Sequence, residues 1–131
     1  MSLMPASAKD CLAAFEGALQ RTDLDAALAV LSDDVVFFYS NGSAHWGKEA
    51  IRAAIQANWD TLSVDNYATR DHIWVDGEGA AACLYSFSWS AQMDGKEVGG
   101  RGRGTAVLRR EAAGWRIASE HLSNGRWKPA A

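Results

Sequence analysis

Apolar residues recur at helical spacing through the first half of this chain and alternate at strand spacing through the second, with the change near Val64. An amphipathic helix places an apolar residue at every third or fourth position, and a half-buried strand at every second, so one segment cannot serve both periods. Ser7 with Asp10 three residues on reads as a capping-box-like start, after which Leu12, Phe15 and Leu19 keep helical spacing through Gln20. A second start at Thr22 leads into Leu24, Ala27, Leu28 and Leu31, a short helix ending before Asp33-Asp34. Val35 to Tyr39 is β-branched and aromatic, which predicts a strand, and Asn41-Gly42 closes it as a turn. From Lys48, the residues Ile51, Ile55, Trp59 and Leu62 fall on one stripe of a third helix. Beyond Val64, predicted strands Tyr67–Asp76 and Ala80–Gln92 flank the turn Gly77-Glu78-Gly79. Asp94-Gly95 turns the chain into Gly100–Arg110, and Glu111–Gly114 turns it into Trp115–Ser123. Helices first and an antiparallel meander afterwards predict an α+β domain, not a parallel α/β sheet.

The 131 residues fit one domain, expected over residues 7–125, with tails at 1–6 and 126–131. A formal net charge of −3, with acids and bases interspersed, gives no clustered basic surface for nucleic acid. No run approaches the roughly 18 apolar residues of a membrane span, and the first residues lack the pattern of a signal peptide. The two cysteines, Cys11 and Cys83, are too few for a disulfide scaffold, so a reduced, cytoplasmic protein is expected. His45 and His72 are scattered, Asp71 lies on the strand face opposite His72, and no three or four ligands converge. Neither a metal nor another cofactor is expected.

Alternation in the last two strands separates two faces. Trp115, Ile117, Ser119, His121 and Ser123 share one side of the final strand, and Arg116, Ala118, Glu120 and Leu122 the other. Taking the Trp115–Ile117 side toward the helices puts Arg101, Arg103, Ser119 and His121 on the core side, beyond its apolar end, and leaves Arg116 and Glu120 at solvent or an interface. Polar groups so placed need partners or water, because burying one unpaired costs about 1–3 kcal/mol. A polar-tipped cavity meets that need, and so does a set of ordinary side-chain hydrogen bonds. In the strand before the glycine-rich run, Tyr85, Phe87 and Trp89 alternate with Leu84, Ser86, Ser88 and Ser90. Either row could face the cavity; the aromatic row is the preferred one, since outward it would form a patch that a monomer rarely exposes. Both arrangements point toward self-association.

These segments resemble a known family. Asp33-Asp34-Val35 before a strand, then Trp46-Gly47-Lys48-Glu49-Ala50-Ile51 opening a helix, is similar to the front half of SnoaL-like, or nuclear transport factor 2-like, domains. Gly104-Thr105-Ala106-Val107-Leu108-Arg109-Arg110, Gly114-Trp115-Arg116-Ile117 and Glu120-His121-Leu122-Ser123 resemble their closing hairpin. The association domain of calcium/calmodulin-dependent protein kinase II looks like a more distant relative, echoed by Gly77-Glu78, Ala81-Ala82-Cys83 and Met93-Asp94-Gly95. The resemblance, over about residues 8–125, implies a cone-shaped, cystatin-like roll: three N-terminal helices on a strongly curved antiparallel sheet, with a cavity at the open end. It also implies a homodimer through the outer sheet face. The family holds isomerases, cyclases, hydratases, ligand binders and assembly modules, so the fold alone assigns no function. The aspartate-base and tyrosine pattern of ketosteroid isomerases is not matched, and no residue is carried over from it.

The candidate site follows from the assumed faces. His121, an imidazole at the rim of an apolar pocket, is the candidate general acid or base; held for packing, it would instead bond Ser119, Ser123 or backbone. Glu120, its neighbour on the strand, would point the other way and form no dyad with it unless a bulge intervenes. Arg101 and Arg103 could grip a carboxylate through the guanidinium fork, or be solvated charges at a flexible hairpin end. Gly99, Gly100, Gly102 and Gly104 around them permit a bulge or the close approach of another chain. They open a strand, so no helix N-terminus makes a phosphate loop of them. Tyr39, Trp46, Trp59, Tyr85 and Trp89 are the expected aromatic lining, with Ser119 among the polar contacts. The leading expectation is therefore a homodimer that binds a small apolar or carboxylate-bearing molecule. A proton-transfer enzyme (isomerase, dehydratase or cyclase) using His121 is the alternative, and a structural dimerisation module the third.

Overall fold

The computed structural model describes residues 5–124; the expected tail at 126–131 and residues 1–4 lie outside that range. Helix α1 (Ala8–Gln20) begins where Ser7 accepts a hydrogen bond from the Asp10 amide at 3.0 Å, the cap its sequence foretold. The short α2 (Leu24–Ala29) is capped by Asp23, one residue later than the expected Thr22. Strand β1 (Leu31–Phe38) turns at Asn41-Gly42 into β2 (Ala44–Trp46), a short strand the sequence did not announce. Helix α3 (Lys48–Thr61) follows, so the third helix comes after a hairpin and the helices do not all precede the sheet. Gly47 takes a φ of 86° at the start of α3, a left-handed conformation that favours glycine. Four long strands complete the chain: β3 (Ser63–Asp76), β4 (Ala80–Met93), β5 (Lys96–Glu111) and β6 (Gly114–Asn124).

The strands form one six-stranded sheet in the order β2-β1-β6-β5-β4-β3. All neighbours are antiparallel except β1 and β6, which run parallel, so the sheet is mixed where a purely antiparallel one was expected. Two register shifts in β3, between Val64 and Asn66 and between Arg70 and Ile73, insert extra residues opposite β4 and bend the edge of the sheet. The curl wraps the helices: α1 packs on β3, β5 and β6, and α3 on β1, β2 and β3. Phe15 of α1, Ile51 and Ile55 of α3, and Phe37, Leu108 and Ile117 of the sheet meet in the core.

Two local features decide which side chains face inward along the final hairpin. The turn has two residues, pairing Glu111 with Gly114 and hence Leu108 with Ile117. Cross-strand partners share a face, so even-numbered residues of β5 lie with odd-numbered residues of β6. Gly102, Gly104, Ala106 and Leu108 accordingly point in, while Arg101, Arg103 and Val107 are exposed. Next, Val107 pairs with Ser119, so Ala118 is an extra residue in β6. That bulge exchanges the faces beyond it. Ile117 is fully buried before it; after it Glu120 is buried, Leu122 half-buried and His121 exposed. The single-parity reading of this hairpin is therefore corrected at both strands. Arg116, expected at solvent or an interface, is buried as well.

Candidate functional site

Between the helices and the concave sheet lies a cavity of about 340 Å³. Phe15 and Leu19 of α1, Ile55 and Trp59 of α3, and Tyr67, Phe87 and Trp89 of the sheet supply most of its wall. The residues after β1, Tyr39, Ser40 and Asn41, form part of its rim with Asn58. Glu120 is the one ionisable carboxyl among the lining residues described, and it is 4% exposed.

The glycine-rich run makes room for this wall. Tyr85, Phe87 and Trp89 pair with Gly104, Gly102 and Gly100, and their rings lie over the neighbouring strand. A Cβ on Gly104 would stand 2.4 Å from the Tyr85 ring, and one on Gly100 2.7 Å from the Trp89 ring nitrogen. At Gly102 it would meet the Ser123 carbonyl oxygen at 1.9 Å. The alternation Gly-Arg-Gly-Arg-Gly thus puts glycine inward under the rings and arginine outward. The expected close approach at these glycines comes from β4 and β6 of the same chain.

Glu120 is held by its neighbours. The Tyr85 hydroxyl donates a hydrogen bond to its Oε1. Burial pushes its pKa up to about 7; the Tyr85 bond works against this, and the nearby Glu16 charge adds to it. Burial likewise pushes the Tyr39, Tyr67 and Tyr85 phenols well above their usual value, and the Glu120 carboxylate adds to each shift. Glu16 is fixed in turn: it accepts from the Thr69 amide at 3.1 Å, from the Thr69 hydroxyl and, at 3.3 Å, from Gln20. The Thr69 hydroxyl also lies 2.8 Å from His72 Nε2, and the His72 ring stands 6.0 Å from that of Tyr85. A carboxyl poised near neutrality among phenols can hold a proton, release it, or act as a buried counter-ion.

Of the residues proposed from the sequence, Tyr39, Trp59 and Trp89 line the cavity. Tyr85 is buried behind it, in contact with Glu120, so the aromatic row of β4 does face inward. Trp46 is 65% exposed, its ring packed edge-on against Phe38, and is not part of the lining. Arg101, Arg103 and His121 are exposed on the outer face, where Ser119 also lies between Val107 and Val36. His121 makes an edge contact with Phe38 at 5.5 Å and does not reach the cavity. Glu120 was assigned to solvent or an interface, and Tyr67 was given no role. A signal for Glu120 existed in Leu122, an apolar residue at the same parity two positions on; the bulge at Ala118 that turns both inward has no signature in the sequence.

Among the described residues no three His, Cys, Asp or Glu are grouped to hold a metal, and no helix is long and apolar enough to cross a membrane. Cys11 and Cys83 are buried free thiols, pushed up to about 12 and about 11 chiefly by that burial, which disfavours their reactive thiolates.

No protein of curated function matches the chain in sequence. Solved structures match closely in shape. A ketosteroid isomerase-like protein from Erwinia carotovora atroseptica superposes with a TM-score of 0.78 at 20% identity, over 90% of this chain and 93% of that one. A nuclear transport factor 2-like protein from Cytophaga hutchinsonii gives 0.75 at 16% identity, over 89% and 94%. A Thiobacillus denitrificans protein, provisionally assigned as a calcium/calmodulin-dependent protein kinase type II association domain, gives 0.74 at 20% identity, over 95% and 100%. At such identities the likeness establishes the α+β nuclear transport factor 2-like fold. Residues 8–126 match the model of the SnoaL-like domain, and the chain belongs to that family.

Proposed function

We propose that the cone cavity binds a small, largely apolar molecule whose one polar end reaches Glu120 and the phenols around it. The carrying observation is a carboxyl 4% exposed inside a cavity whose other walls are mostly aromatic and aliphatic. Such a space removes apolar surface from water, and a lone polar group fixes orientation; about 340 Å³ lies at the small end of ligand pockets. The structure corrects the expected anion anchor. Arg101 and Arg103 lie outside, and a carboxylate ligand would meet Glu120 instead. The test is a thermal-shift screen of small aryl and alicyclic compounds, in which a binder raises Tm with concentration. Loss of the shift in a variant that fills the cavity, Val64→Trp, supports the reading. Absence of any shift across a broad screen sinks it.

A second reading, proton transfer by an isomerase, dehydratase or cyclase, is favoured by the near-neutral Glu120. A general acid or base works best when its pKa lies near the working pH. Glu120 takes the role first given to His121, and Tyr67 or Tyr39 would hydrogen-bond a developing enolate. The ketosteroid isomerase-like label of one structural neighbour is compatible with this chemistry. Turnover that survives intact in Glu120→Gln would exclude it.

We also propose self-association through the outer sheet face. Ile73, Leu84, Thr105, His121 and Phe38 pair in one row across five strands. Val75, Ala82, Val107, Ser119, Val36 and Trp46 make the next row across all six. Ile73, Val75 and Trp46 are each more than half exposed, an apolar surface suited to a second copy.

A further inference from the structure

We infer that the polar end this cavity accepts is a cation, an organic ammonium seated among the rings with Glu120 as its counter-ion. This rests on the reading of the cavity as a ligand site and names the chemical class of its occupant. Seven aromatic rings line the space, and no Lys, Arg or His does so among the described residues. The faces of such rings carry negative potential and attract cations, tryptophan and tyrosine foremost. Tyr39, Trp59, Tyr67 and Trp89 supply four rings of those two kinds.

The surroundings of Glu120 complete the case. A buried carboxylate is ordinarily paired with a positive group. Among the described residues, the titratable groups coupled to Glu120 are phenols, thiols or acids: Glu16 from α1, Tyr39 just after β1, Tyr67 from β3, and Tyr85 and Cys83 from β4. His72, whose ring stands 6.0 Å from that of Tyr85, is exposed and bonded to Thr69. With the cavity empty, a proton serves as the neutralising charge near neutral pH. An ammonium takes that place: the carboxyl releases its proton to solvent and keeps the negative charge, which the ligand balances. An anion would face both the carboxylate and the ring faces. A neutral isostere would gain only the apolar contacts.

Two shape-matched compounds that do not titrate provide the test: the 4-(hydroxymethyl)-N,N,N-trimethylanilinium ion and neutral 4-tert-butylbenzyl alcohol. Calorimetry on the full chain should show the cation binding at least tenfold tighter at pH 8. That preference should shrink steadily toward pH 5.5 as Glu120 takes up its proton. In Glu120→Gln the cation should lose most of that preference and keep only what the ring faces supply. If the alcohol binds and the cation shows no preference at pH 8, the cation assignment is wrong while the cavity reading stands. A preference undiminished in Glu120→Gln, or one without pH dependence in the unaltered chain, also overturns it. If neither compound binds, the cation assignment falls, and the thermal-shift screen decides the cavity reading.

Discussion

The inner face of the sheet is made of rings laid over glycines and one carboxyl, whereas the outer face carries arginines, serines and exposed aliphatic side chains. Both faces come from the same long strands, and in the Gly100–Gly104 stretch they alternate residue by residue. Glu120 and His121 show the contrast at its sharpest: adjacent on β6, one is 4% exposed and the other lies on the outer face. Alternation fixes that neighbours differ in environment, but not which neighbour goes in. That choice belongs to a two-residue turn and a one-residue bulge.

Substitution should be most disruptive on the inner face. Gly102→Ala forces a Cβ to within 1.9 Å of a backbone carbonyl oxygen, so a loss of about 3 kcal/mol or more is expected in urea unfolding. Arg101→Ala, one residue away and outward, should stay within about 0.5 kcal/mol. Equal losses would erase the distinction between the faces.

Next comes the pH dependence of Glu120. Its carboxyl is held near 7 in the folded chain against an ordinary 4.5, so the folded state binds the proton more tightly than the unfolded. This group therefore costs nothing below pH 4.5, destabilises increasingly between about 4.5 and 7, and does so fully above. Glu120→Gln should be the more stable chain at pH 8, by up to about 3 kcal/mol, with the advantage fading toward pH 4.5. A constant difference across that range would place the carboxyl in water.

On the outer face, Val107→Glu puts a charge in the middle of an apolar row and should weaken self-association tenfold or more, as read by sedimentation. A mass unchanged from monomer in both chains would remove the proposed interface. The smallest effect belongs to His121→Ala, expected to change cavity binding less than twofold. A larger loss would return the imidazole to the site.

The sequence disclosed the fold through its change of hydrophobic period and through turn pairs such as Asn41-Gly42 and Asp94-Gly95, since these are local signals. For β4 it left either row open and favoured the aromatic one, which the structure turns inward. It did not disclose β2, whose three residues have no periodicity to read. The candidate site was mislocated twice: the two-residue turn sends Arg101 and Arg103 outward, and the extra residue Ala118 exchanges His121 for Glu120. A bulge is stabilised by how two strands meet, not by the residue it contains, so parity counted past it fails without warning.

The ring-over-glycine pairing of β4 with β5 couples two positions that lie about fifteen residues apart in the chain. Enlarging the hollow by trimming Phe87 would leave a bare backbone opposite it, and filling Gly102 would evict that ring. Redesign of the wall must therefore proceed by exchanging bulk between strands, two substitutions at a time, and lineages that reshaped it should bear correlated changes at these pairs.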